Sequence, residues 1–280
     1  MLFLLLTILC SSSIALILKF NAARKGHPLV MLMGNYFTAS LIASVIIFIG
    51  KDFSFSIETF LFGLILGVLF IGSFFIFAKA VETAGTALAT VSSRLSVFIP
   101  VLLVVIFFGE VPSTQNYFGF ALTVLTIILF YFSLNGKNQA DSHKYKYFFL
   151  IGVLLFIGIN DFAMKYFQML RTSNEESLFV YMIFTTAFVT GLFIIIFRKI
   201  KIYSKDILTG FVLGIPNVLS TIFLLGALSK LPAIIVYPVM NIGVILVTTI
   251  SAYLIWKEIL NGYGIAAVVL GTAAILLLSM

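Results

Sequence analysis

Charged residues are scarce in this sequence, and their scarcity excludes an ordinary soluble protein. They make up 10% of the 280 residues, whereas a soluble domain carries about 25% to coat its surface. Apolar residues make up 62%, and the mean hydropathy is +1.21. Cysteine is nearly absent as well, and the single residue of this type, Cys10, excludes an intrachain disulfide. Most of the protein surface must therefore face lipid.

Histidine is also rare, and the motifs of several enzyme classes are missing. His27 and His143 lie between apolar segments, which excludes a histidine metal site or proton relay at membrane depth. The sequence has no H-E-x-x-H, no P-loop and no nucleophile elbow. The net charge of +7 comes from basic residues spread over short loops, so it indicates no nucleic-acid surface. We therefore expect no enzymatic activity, no catalytic residue, no metal, no cofactor and no nucleic-acid partner.

Long apolar segments are what the sequence has in abundance. Each of them has about the 20 residues that a helix needs to cross the hydrocarbon core of a bilayer. The polar stretch NGKNQADSHKYK, at residues 135–146, separates the first five from the last five. The sequence predicts an all-α integral membrane protein, with five transmembrane helices in residues 1–134 and five in 147–280. The ten predicted helices cover residues 2–18, 29–49, 57–78, 85–108, 116–134, 147–169, 178–197, 207–228, 233–255 and 262–278.

The two halves repeat the same arrangement of charges. Lys19 ends the first apolar segment and Glu110 follows the fourth, while Lys165 and Glu258 hold the corresponding places in the second half. Because each half has an odd number of helices, the second half must enter the membrane inverted relative to the first. Inverted repeats are typical of secondary transporters, whose opposed halves rock about a site at their interface. The repeat therefore predicts transport by alternating access.

The residues around these charges resemble the EamA-type members of the drug/metabolite transporter superfamily. The lysines occur in LILKF and FAMKYF, and the acids occur in FFGE and IWKE. The helix after each acid carries two small residues seven positions apart, Gly119 with Thr126 and Gly264 with Gly271. The resemblance covers the whole chain and implies ten spans in two repeats. It also implies movement, often export, of small metabolites such as amino acids.

The orientation in the membrane can be read in two ways. Twelve basic residues lie on the side of the 135–146 linker and four lie on the opposite side. The positive-inside rule places the twelve in the cytoplasm, which leaves both termini outside the cytoplasm. The family resemblance implies cytoplasmic termini instead. In either orientation we expect a multi-pass protein of the inner or plasma membrane.

The four repeated charges have a structural interpretation. Glu110 and Glu258 precede the fifth and tenth predicted helices, where a carboxylate suits the helix dipole and can cap free amides. We therefore expect Lys19, Lys165, Glu110 and Glu258 to be structural residues of the repeat.

Arg94 is the most informative residue at membrane depth. It lies nine residues into its predicted helix, about 14 Å deep and close to the membrane midplane. Thr86 and Thr90 precede it at four-residue intervals and Ser93 adjoins it, so these residues follow one helix face. A charge at this depth is by default a functional hypothesis, and here it predicts a substrate-facing arginine. The alternative is a structural arginine that is satisfied by backbone carbonyls or by a neighbouring acid.

Asp161 is the acid that lies deepest within a predicted helix. It follows Asn160 and precedes Lys165 by four residues, in an order that favours an ion pair on one helix face. Three roles stay open for Asp161: a partner for Lys165, a partner for Arg94, or a carrier of a coupling proton.

Further polar side chains lie at depth in the second half. Tyr237 and Asn241 share a helix face, and Asn217 follows Pro216, which loosens the local backbone. Packing between helices is the structural alternative for such residues. The predicted substrate-binding residues are Arg94, Thr90, Ser93, Asn160, Asn217, Tyr237 and Asn241.

Together these observations predict a secondary active transporter, an exporter by family resemblance, for an amino acid or another small carboxylate. Arg94 favours an anionic substrate over a lipophilic cation, and the first helix contains no acid. Two alternatives remain: an intramembrane enzyme that acts on lipid, and multidrug efflux of lipophilic compounds. The expected partners are the small-molecule substrate and the lipid bilayer, and both a monomer and a dimer stay open.

Overall fold

The regular secondary structure in the described part of the chain is helical throughout. The computed structural model describes residues 1–50, 54, 56–84, 86–134, 145–170, 175–256 and 261–279. Within these residues, nine helical segments are long and apolar enough to cross a membrane, and a tenth, Gly262–Leu278, is shorter. The helices are α1 (Leu2–Ala23), α2 (Pro28–Gly50), α3 (Ile57–Ala84), α4 (Thr86–Leu95), α5 (Phe98–Phe108), α6 (Thr114–Leu134), α7 (Lys146–Leu170), α8 (Glu176–Phe197), α9 (Ser204–Leu228), α10 (Ala233–Trp256) and α11 (Gly262–Ser279). The predicted fold class, an all-helical multi-pass membrane protein, is confirmed.

The fourth predicted span is present as one apolar helical segment, Ala89–Phe108, but a short turn within it divides the helix into α4 and α5. Pro100 has no backbone N–H, and its ring would clash with the carbonyl group of Ser96 in a continuous helix. The Ser96 carbonyl instead accepts the N–H of Ile99 at 3.0 Å, in a tight turn. Arg94 lies in the last turn of α4, directly before this break.

The structure divides into two compact units. Unit 1 comprises Met1–Ile71 and Tyr166–Ser229, and unit 2 comprises Gly72–Lys165 and Lys230–Met280. Each unit combines helices from both halves of the sequence, so the units of packing differ from the repeats that were predicted from the charge pattern.

In unit 1, glycines bring helices of the two repeats close together. Gly210 of α9 lies against α2, where an added Cβ would clash with the Met31 carbonyl oxygen. Gly67 of α3 lies against α8, where an added Cβ would come within 2.6 Å of the Ile183 carbonyl oxygen. Small residues permit such close backbone approach, which holds helices together in lipid. The second helix of each repeat thus packs on the third helix of the other.

In unit 2, the fifth helices of the two repeats, α6 and α11, pack against each other. A Cβ added to Gly271 of α11 would lie 3.2 Å from Cγ2 of Thr126 in α6, so two of the small residues quoted above are neighbours. Helix α7 is joined to the broken span by Ser92, whose Oγ donates a hydrogen bond to the Leu150 carbonyl oxygen at 2.5 Å. Unit 2 therefore packs α7 beside the break that follows Arg94.

Candidate functional site

Arg94 is held by α10 but retains a free donor. Its Nη1 donates a hydrogen bond to Oδ1 of Asn241 at 3.2 Å. Its Nε is buried and has no hydrogen-bond partner in the part of the chain that the structure describes. Buried donors in native proteins are nearly always satisfied, so an orphaned donor at membrane depth requires an explanation. A ligand with an acceptor group would provide one.

Asn241 is itself held in a fixed orientation. Its Nδ2 donates a hydrogen bond to the Tyr237 carbonyl oxygen at 3.0 Å, which turns Oδ1 toward Arg94. The hydroxyl group of Tyr237 donates to the backbone carbonyl oxygen of Asp161. Both Tyr237 and Asn241 are buried. One turn of α10 therefore ties the guanidinium of Arg94 to the middle of α7.

Asp161 lies within electrostatic reach of Arg94, and the two opposite charges attract each other. The sequence also allowed a pair with Lys165, but the ammonium group of Lys165 lies 3.3 Å from Oε1 of Glu110. Lys165 is thus occupied by a different acid, and Arg94 is the cation whose charge acts on Asp161. We call Arg94, Asp161, Tyr237 and Asn241, together with Asn160, which precedes Asp161 in α7, the Arg94 cluster.

Asn160 contributes a second unpartnered atom to this cluster. Its Nδ2 donates a hydrogen bond to Oγ of Ser73 at 2.6 Å, which joins α7 to α3. Its Oδ1 is buried and has no hydrogen-bond partner among the described residues. The cluster therefore contains one buried donor and one buried acceptor that protein groups leave unused.

Glu110 caps a helix, although not the one that was expected. The prediction assigned it to the helix that follows in the chain, α6. The structure instead directs Oε1 to the amide of Ala233 at 3.2 Å and Oε2 to the amide of Ile234 at 3.1 Å. These are the first two residues of α10, whose positive N-terminal end favours a carboxylate. With the ion pair to Lys165, Glu110 connects α7 and the start of α10 to the segment that follows α5, all within unit 2.

The other predicted residues are distributed as follows. Thr90 and Ser93 are half-buried on α4, the helix that carries Arg94, whereas the side chain of Thr86 lies outside the described part. Lys19 is half-buried on α1, and Glu258 lies outside the described residues. Among the residues that the structure describes, no group of three His, Cys, Asp or Glu side chains could hold a metal ion.

Asn217 belongs to unit 1, whereas the residues of the Arg94 cluster belong to unit 2. Its Nδ2 donates a hydrogen bond to Oδ1 of Asn35 at 3.0 Å. Asn35 is 1% exposed, and the sequence interpretation missed it. A lone amide within the apolar run of α2 was the available signal, because an isolated polar group in lipid requires a partner.

The chain is similar to known proteins in family, sequence and fold. Residues 1–132 match the model of the EamA-like transporter family. An uncharacterized protein of Haemophilus influenzae is 29% identical over 284 residues, which cover 97% of this chain and 95% of that protein. A crystal structure with 14% sequence identity superposes with a TM-score of 0.80, over 99% of this chain and 94% of the other. At that identity the superposition shows the fold alone.

Proposed function

We propose that this protein is a secondary active transporter of a small carboxylate-bearing metabolite, such as an amino acid, because residues 1–132 match the model of the EamA-like transporter family. The family likeness supports transport as such. The carboxylate is argued from the Arg94 cluster.

The unpartnered Nε of Arg94 carries the proposal. Since Asn241 engages Nη1, the edge of the guanidinium formed by Nε and Nη2 is left for a ligand. This edge matches the two oxygens of a carboxylate, which arginine binds bidentately. A monatomic anion has a single acceptor atom, so it cannot accept the two N–H groups as two parallel hydrogen bonds. A planar carboxylate is therefore the group that suits the site best.

Asp161 and its chain neighbour Asn160 suit the ammonium group of an amino acid. Asp161 supplies a negative charge near Arg94, and Asn160 supplies an unpartnered acceptor oxygen. A zwitterion could place its carboxylate on Arg94 and its ammonium toward these acceptors, so that buried charges are paired. This argument favours an amino acid over a simple carboxylic acid.

Alternating access is supported by the origin of the site residues. Arg94 comes from the first repeat, whereas Asp161, Tyr237 and Asn241 come from the second. Binding sites at the interface of inverted repeats, beside a discontinuous helix, are a recurrent arrangement in secondary transporters. The break between α4 and α5 provides such a discontinuity next to Arg94. The assignment as an exporter is part of the proposal and rests on the family likeness.

Uptake into proteoliposomes tests this function. The panel comprises amino acids, other carboxylates, phosphorylated metabolites and lipophilic dyes, with and without a pH gradient. We expect a carboxylate-bearing compound to be transported, and Arg94→Lys to reduce its transport by about tenfold or more, because lysine lacks the bidentate fork. Arg24→Lys, at an exposed position, is the matched control and should transport normally. Normal transport by Arg94→Lys, or transport of dyes alone, would overturn the proposal.

A further inference from the structure

A small cavity in unit 1 combines apolar walls with a carboxylate. Helices α2, α8 and α9 enclose a volume of about 100 Å³ that is partly open to the surroundings. Its walls include Ala43 of α2 and Leu225 of α9. Its polar side chains are Glu176 and Ser177, in the first turn of α8. None of these residues belongs to the Arg94 cluster.

The carboxylate of Glu176 differs from that of its neighbour Glu175. Glu175 accepts hydrogen bonds from the hydroxyl groups of Ser56 and Thr59, so its charge is satisfied within unit 1. Glu176 is half-buried and has no hydrogen-bond or ion-pair partner in the described part of the chain. The N-terminal dipole of α8 favours an acid here but does not pair with it. The charge of Glu176 is therefore available to a ligand in the cavity.

The chemistry of the walls selects the ligand. An anion would be repelled by Glu176, and a purely apolar ligand would leave the carboxylate desolvated and unpaired, which is costly. A cavity of about 150 Å³ accommodates benzene, so one of about 100 Å³ accommodates about four carbon atoms. The matching ligand is a small organic cation with a short apolar arm.

We propose that this cavity is a binding site for a primary ammonium compound with a short alkyl arm. The ammonium group pairs with Glu176 and donates to the hydroxyl of Ser177, while the arm packs against Ala43 and Leu225. This amine site goes beyond the proposed function, because it is built from unit 1 residues alone and does not require the Arg94 cluster.

Ligand-observed NMR on the purified full chain in nanodiscs tests the amine site. The probe is isobutylammonium, and isobutanol is the neutral compound of similar shape. We expect the protein to bind isobutylammonium at least about tenfold more tightly than isobutanol, and Glu176→Gln to abolish this preference. Glu58→Gln is the matched control, because Glu58 is an exposed acid in the first turn of α3. It should retain the preference.

Further variants keep the proposal falsifiable. Ala43→Leu retains the charge of Glu176 but fills the cavity, so it should also abolish specific binding. If Glu176→Gln does not fold, Ala43→Leu decides the question by itself. Arg94→Lys should bind isobutylammonium as the unaltered protein does, which separates this site from the proposed function. Equal binding of the amine and the alcohol, or amine binding that survives in Ala43→Leu, would overturn the amine site.

Discussion

Arg94 shows what the sequence can reveal about a single residue and what it cannot. Its distance from the ends of an apolar segment predicts its depth in the membrane. That depth in turn predicts a high free-energy cost for its charge. Its partner Asn241 was predicted as a candidate, but the hydrogen bond between the two residues depends on how α4 and α10 pack. The unpartnered Nε could not have been predicted, because satisfaction of a donor is a tertiary property.

Asp161 and Lys165 illustrate the opposite case, in which a local pattern misleads. Their spacing of four residues favours an ion pair along one helix. In the structure, Lys165 forms an ion pair with Glu110, which is distant in sequence. A chain segment cannot reveal a competing partner that a different segment supplies.

Asp161 can be tested as the carrier of a coupling proton. If it has this role, Asp161→Asn should abolish accumulation driven by a pH gradient, because the amide cannot carry a proton. Counterflow exchange of substrate should persist, since exchange needs no net proton movement. Both modes are measured in the same proteoliposomes, with Glu58→Gln as the control for loss of an exposed acid. Accumulation that survives in Asp161→Asn would remove this residue from coupling.

At the scale of helices, the sequence predicted the spans well and their interruption poorly. The length of an apolar segment predicts a transmembrane helix, because the thickness of the hydrocarbon core sets the number of helical residues that are needed to cross it. Proline did not mark the break reliably: α9 contains Pro216 and α10 contains Pro238, and both helices continue through them. Within the described residues, the span that contains Pro100 is divided into two helices, α4 and α5. Neighbouring helices decide whether the freed backbone groups are satisfied in place.

The pairing of helices left a signal that the sequence interpretation did not use. A G-x-x-x-G pattern occurs as GLILG in α3, at Gly63 and Gly67, and as GFVLG in α9, at Gly210 and Gly214. All four glycines contact a neighbouring helix closely. This pattern is a known signature of helix association in membranes and could have predicted both pairs.

Glu110 provides a stability prediction at this scale. Glu110→Gln removes the charge that pairs with Lys165 and weakens the cap on α10, so we expect a loss of about 3 kcal/mol of unfolding free energy. Denaturant unfolding in detergent measures this loss. Combining it with Lys165→Met should recover part of the stability, because no buried charge is then left unpaired. A double variant as unstable as the sum of the single variants would show that the pair is not coupled.

For the whole molecule, the family resemblance drawn from short charged motifs agrees with the match of residues 1–132 to the EamA-like family model, which covers the first of the two predicted repeats. The inverted repeat is a prediction from the sequence, made because the charges of the two halves recur at nearly equal spacing. The two packing units were not visible, because each combines helices from both repeats. The spacing of residues along the sequence can indicate a repeat. It cannot indicate which helices pack together, because packing depends on contacts between distant segments.

Orientation in the membrane is a prediction of the loop charges. The excess of basic residues on the linker side predicts that a reporter fused after Met280 reports an extracytoplasmic C-terminus. Paired reporters measure this, one active in the cytoplasm and one active outside it. A cytoplasmic signal would show instead that the orientation implied by the family holds. The structure places Lys165 and Lys79 within helices, so neither is a loop charge.

The most direct test of carboxylate recognition by Arg94 measures the uptake of a transported carboxylate and of the carboxamide derived from it. The two compounds have nearly the same size, so their ratio of uptake isolates recognition of the carboxylate. We predict that the unaltered protein prefers the carboxylate by about tenfold or more, and that Arg94→Gln removes most of this preference while the protein still inserts and folds. An undiminished preference for the carboxylate in folded Arg94→Gln would contradict the account.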